Sequence, residues 1–135
     1  MADTVLGYSV RAPFPGEDAF FRANPRVGGM AAEDGAITLN PYSTLTDQER
    51  ASVARNEAIR LHQRNLGMQY TFPLTPEQSS GFKGTAYESD KDAARQSVVA
   101  RILSGDPSAG TPTDAQRAAA AMTQAHIDMI LRRLD

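Results

Sequence analysis

Val27-Gly28-Gly29-Met30-Ala31-Ala32-Glu33-Asp34-Gly35-Ala36-Ile37-Thr38-Leu39-Asn40-Pro41, with the run from Thr46-Asp47-Gln48-Glu49 to Asn65 that follows it, decides the fold. Two short apolar runs, 27–32 and 36–40, flank Glu33-Asp34-Gly35. Asp-Gly between such runs signals a hairpin, because glycine accepts the positive φ that tight turns need. Pro41 cannot continue the second strand. Thr46-x-x-Glu49 then opens a helix. Its hydroxyl and its carboxylate each satisfy an amide that the first turn leaves without a partner. Two strands alone are marginal and must lean on helices.

The same capping device recurs. Thr75-x-x-Gln78 and Thr113-x-x-Gln116 repeat it, and Ser89-x-x-Asp92 is a weaker version. Helices are expected at about 46–65, 75–82, 89–104 and 113–134, with Gly67 and Gly105 as stops. Pro76 suits a first turn. A short helix is expected over 16–24, with Glu17 and Asp18 at its positive end and Pro25 as its stop. Before it, Val5, Leu6, Tyr8 and Val10 lead into Pro13-Phe14-Pro15-Gly16. Apolar residues on both faces and then prolines predict an extended arm over 1–15. The expected fold is therefore mainly α within the α+β class. Four to five helices and one small hairpin at 27–40 make a single compact domain over 16–135.

Composition excludes several functions. The chain has 135 residues, sufficient for one domain, with 41% apolar and 22% charged residues, which speaks against long disorder. Net charge is −2 with no basic stripe, so no direct nucleic-acid binding is expected. There is no cysteine, which removes disulfides, zinc ribbons and thiol nucleophiles. No apolar run has the length of a membrane span, and Met1-Ala2-Asp3-Thr4 lacks the features of a signal peptide.

The helix after the hairpin carries an acid that needs an explanation. Asn56-Glu57-Ala58-Ile59-Arg60-Leu61-His62 places Glu57 on one ridge with Val53 and Leu61, inside the apolar face. A buried carboxylate must pair or raise its pKa. Arg60 and Arg64 are local partners. Arg95 lies within the apolar face Ala94, Val98, Val99, Ile102 and Leu103 of the next long helix, so a cross-helix Glu57–Arg95 ion pair is expected.

This strand-then-helix segment with its lone glutamate resembles a zinc-peptidase core, His-Glu-x-x-His, in which two imidazoles four residues apart hold the metal. Here Asn56 and Arg60 stand at the ligand positions, and His62 and His126 are isolated, so the resemblance implies an inactive derivative without a metal or other cofactor. The 105–112 loop lacks Gly-Lys-Ser/Thr and follows a helix, which reads as a turn and not a phosphate cradle. No Gly-x-Ser-x-Gly elbow is present. Glu33 and Asp34 serve turn geometry.

The last helix offers a different surface. Ala119, Ala120, Thr123, Ile127, Ile130, Leu131 and Leu134 form one apolar face. Ala118, Met122, Ala125 and Met129 form a second stripe, roughly opposite. A helix apolar on two sides is either sandwiched in its own core or offers one side to a partner. Methionine beside alanine suits an adaptable contact.

Three segments resemble small proteins encoded in tailed-phage genomes: Pro15-Gly16-Glu17-Asp18-Ala19-Phe20-Phe21-Arg22-Ala23-Asn24-Pro25, Ile37-Thr38-Leu39-Asn40-Pro41-Tyr42-Ser43, and Ala100-Arg101-Ile102-Leu103-Ser104-Gly105-Asp106-Pro107-Ser108-Ala109-Gly110. The resemblance implies an accessory or virion-associated protein, located in the virion or the host cytoplasm, and identifies no active residue. The expected function is protein–protein contact without catalysis, as a minor structural or adaptor component of a particle. The contact candidates are Val5, Tyr8 and Phe14 of the arm and Met122 and Met129 of the stripe, with Glu57, Arg60 and Arg95 as structural charges. Two rivals stand beside this. One is a small enzyme, a cell-wall hydrolase or degenerate peptidase, using Glu57. The other is a regulator that binds and blocks a host protein. Solvent access to Glu57 separates the enzyme from the rest.

Overall fold

Residues 3–11 do not form the expected arm: they build half of a four-stranded sheet. In the computed structural model, residues 3–134 are described. Met1, Ala2 and Asp135 lie outside it, as do the side chains of Asp3 and Leu134. Strands β1 (Asp3–Val5), β2 (Tyr8–Arg11), β3 (Gly29–Ala31) and β4 (Ile37–Leu39) take the order β1-β2-β4-β3. The hairpins β1–β2 and β3–β4 are antiparallel. Between them β2 and β4 run parallel, Val10 beside Ile37 and Arg11 beside Thr38.

The expectation of an arm fails at Leu6-Gly7. Val5 pairs with Tyr8 across this two-residue turn, and both turn residues have positive φ, +50° for Leu6 and +87° for Gly7. That geometry matches the twist of a hairpin but normally selects Asn or Gly at the first position, so Leu6 gives no turn signal. Leucine there is strained by about 1–3 kcal/mol. Its surroundings hold it: the side chain packs into two core clusters, and its carbonyl lies 2.9 Å from His62 Nε2.

The described residues hold five α-helices: α1 (Pro15–Ala23), α2 (Asp47–Leu66), α3 (Pro76–Gly81), α4 (Lys91–Ser104) and α5 (Asp114–Leu134). The whole is a single compact α+β domain. The three strong capping boxes form as expected, at Thr46/Glu49, Thr75/Gln78 and Thr113/Gln116. The weak one shifts by one residue. Asp90 caps α4 through the Ala93 amide, because its carboxylate is the better acceptor, while Asp92 turns to Arg95. Gly67 and Gly105 end α2 and α4 in the left-handed conformation.

Helix α2 is the centre of the molecule. One face, Ala54, Ala58 and Leu61, packs under the sheet against Ile37 and the half-buried Val5, Tyr8 and Val10. The other side brings Ile59 against Ala100 of α4 and Ile127 of α5. A third cluster packs Met68, Tyr70 and Phe72 with Phe82, Val98, Val99 and Ala120. Sheet and helix approach closely at Gly29, where an added Cβ would stand 2.8 Å from the Thr38 carbonyl oxygen and 3.1 Å from the Val53 side chain. Only glycine fits there.

Buried polar groups join these layers. Asn40 donates to the Val27 carbonyl at 2.7 Å and to Asn24 at 3.1 Å, and its Oδ1 accepts from the Tyr42 amide, which ties α1 to the hairpin. Gln63 donates to Tyr70 Oη and to the Gln96 carbonyl. Thr123 Oγ1 gives its hydrogen to the Ala119 carbonyl, so the Tyr70 hydroxyl, 2.7 Å away, donates to Thr123. Burial pushes the Tyr70 pKa up.

Candidate functional site

Glu57 opens into a cleft. Ser52, Asn56, Glu57 and Arg60 stand on successive turns of α2, so their side chains share one wall. Ser97 and Arg101, one turn apart on α4, form the second wall. Arg26, Gly28 and Gly29 close one side, and Tyr87 and Asp106 complete the rim. The cavity has a volume of about 430 Å³.

The expected Glu57–Arg95 pair is absent. Arg95 donates instead to the Phe72 carbonyl at 2.8 Å and to Asp92 at 3.3 Å. The helical wheel puts Arg95 within the apolar face of α4, and its side chain is half-buried. The segment that meets it there is the 68–74 strip, which offers the Phe72 carbonyl, and not α2. Glu57 takes part in none of the ion pairs among the described residues, which join Arg11 to Glu17 and Asp34, Arg22 to Asp18, Arg95 to Asp92 and Arg117 to Asp114. Burial raises its pKa, while Arg60 and Arg64 pull in the opposite direction without prevailing. Arg60, a predicted structural charge, lies 5.7 Å from the Tyr87 ring centre. Arg101 lies 5.0 Å from that of Phe82.

Sequence reasoning missed Arg26, Arg101, Tyr87 and Asp106. Arg101 had a signal: four residues after Ser97, it shares that residue's side of α4. Arg26 and Asp106 come from loops and carried none. Among the described residues no three His, Asp or Glu side chains gather as a metal set. His62 is buried beneath the N-terminal hairpin, its ring edge-on to Tyr8 at 4.7 Å, and His126 is exposed.

The contact candidates divide. Val5 and Tyr8 are half-buried in the protein's own core, and Tyr8 Oη accepts from Asn65 at 2.7 Å. Phe14 is 55% exposed under the Arg11 guanidinium, 3.6 Å from its ring centre. On α5 the first apolar face is covered, with Ala120, Thr123 and Ile127 buried. The second is open. Met122 is 48% and Met129 50% exposed, and Ala115, Ala118 and Ala125 are exposed between and beside them. The spacing 115, 118, 122, 125, 129 alternates three and four residues, the period of a seam between two helices.

Comparison of the chain with protein-family models, with curated proteins and with solved structures gives no match. Among the described residues no helix is long and apolar enough to cross a membrane.

Proposed function

We propose that the chain is a non-catalytic protein–protein interaction component whose working surface is the outer face of α5. The observation that carries this is the open Ala115/Ala118/Met122/Ala125/Met129 seam on a helix whose other side is filled. Alanines let a partner backbone come close, and methionines adapt to its shape. The setting proposed from the segment resemblance is a tailed-phage particle, with the chain as a minor structural or adaptor part. The test is a Met122→Glu/Met129→Glu double variant, followed by mass spectrometry of purified particles. The reading expects a folded variant that is lost from the particles. Incorporation equal to that of the parent chain overturns it.

A second reading rests on the cleft. A carboxyl of raised pKa facing 430 Å³ of open space is what a general acid requires. It supports a small hydrolase with Glu57 as its acid. Glu57→Gln abolishing hydrolysis of a cell-wall glycan, with the fold intact, is the result this reading expects.

A further inference from the structure

We infer that the cleft between α2 and α4 is a binding site for a small phosphate-bearing molecule, held by Arg26, Arg60 and Arg101. Three arginines line one cavity from three separate parts of the chain, a loop, α2 and α4. None of the three has an ion pair among the described residues, although four other arginines do. Cationic groups in excess over anions repel one another, and a bound anion relieves this. Aromatic rings stand beside two of them: Tyr87, on the rim of this cleft, near Arg60, and Phe82, on the wall of a neighbouring cavity that Arg101 also lines, near Arg101. A ring beneath a guanidinium positions the charge without consuming its hydrogen-bond donors.

The balance of the cavity points the same way. Three cations face two carboxylates, Glu57 and Asp106, and one Asp106 oxygen is already held by the Ser108 amide. Guanidinium forks match the oxygens of phosphate in pairs, which a lone ammonium does not. A volume of about 430 Å³ exceeds a bare phosphate and suits a phosphate ester.

The test follows backbone amide signals of isotope-labelled protein during titration with inorganic phosphate, pyrophosphate and acetate at constant ionic strength. The expected result is saturable shifts at Gly28, Gly29, Asn56 and Ser97 with both phosphates and a much weaker response to acetate. Arg60→Gln/Arg101→Gln should weaken phosphate binding by about tenfold or more. Arg26→Gln, a change in an exposed loop with little risk to folding, should weaken it as well. Glu57→Gln should tighten it, because an opposing charge is removed, and a purely structural role for Glu57 predicts no such gain. Absence of saturable shifts, equal affinity for acetate, or unchanged affinity in the arginine variants overturns the assignment.

Discussion

Gln78 and Gln116 form a reciprocal pair, each donating its amide to the other's carbonyl oxygen, at 2.9 and 2.8 Å. Each also closes its own capping box, so two helix N-termini, α3 and α5, are fastened by one contact. Gln116 donates further to the Pro73 carbonyl and is fully buried. Gln116→Ala should lower the unfolding free energy by about 2–4 kcal/mol, since it strands buried partners as well as losing bonds. Gln78→Ala should cost less, and the double variant less than the sum of the two. Denaturant unfolding of the four proteins measures the coupling.

Glu57 makes stability depend on pH. Its folded pKa is raised above the ordinary 4.5 by burial, against the pull of Arg60 and Arg64. The neutral carboxyl fits the fold, so its contribution is complete below about pH 4.5 and is lost as pH rises through the folded value. Glu57→Gln cannot ionise. It should melt higher than the parent at pH 7 and at the same temperature near pH 4, as read by thermal scans at both.

Arg11 acts with the opposite sign. It bonds Glu17 at 2.7 Å and Asp34 at 3.0 Å and holds both carboxyls below their usual values. Both carboxyls are solvent-accessible, so the effect is modest and screened by salt. It is present above the unfolded pKa values and fades as pH falls through the folded ones. Arg11→Met should reduce the loss of melting temperature between pH 5 and pH 2, most visibly at low ionic strength.

The N-terminal hairpin belongs to the core. Tyr8→Phe removes one exposed hydrogen bond and should cost under about 1 kcal/mol. Tyr8→Ala empties a place between the sheet and His62 and should cost about 2–4 kcal/mol. Deleting residues 1–11 removes two of four strands and should abolish cooperative unfolding. Survival of a sharp thermal transition in that truncated chain counts against the placement.

What could be read from the residues was local. Thr46/Glu49, Thr75/Gln78 and Thr113/Gln116 each set a helix start within four residues, and Asp34-Gly35 set a turn within two. The parallel pairing of β2 with β4 spans more than twenty residues and leaves no local trace. The partner of Arg95 was misread because a helical wheel gives a side chain's direction but not which segment lies there. The candidate cleft was half visible: Glu57 stood out as an acid on an apolar face, while two of its arginine neighbours arrive from elsewhere in the chain.

Leu6 has a bearing on the order of folding. It packs against the cluster of Ile59, Ala100 and Ile127, which α2, α4 and α5 supply. Contacts of such long sequence separation cost loop-closure entropy before they give anything back. The seat of Leu6 is therefore completed late, and the strained turn between β1 and β2 is held only once the three helices have docked.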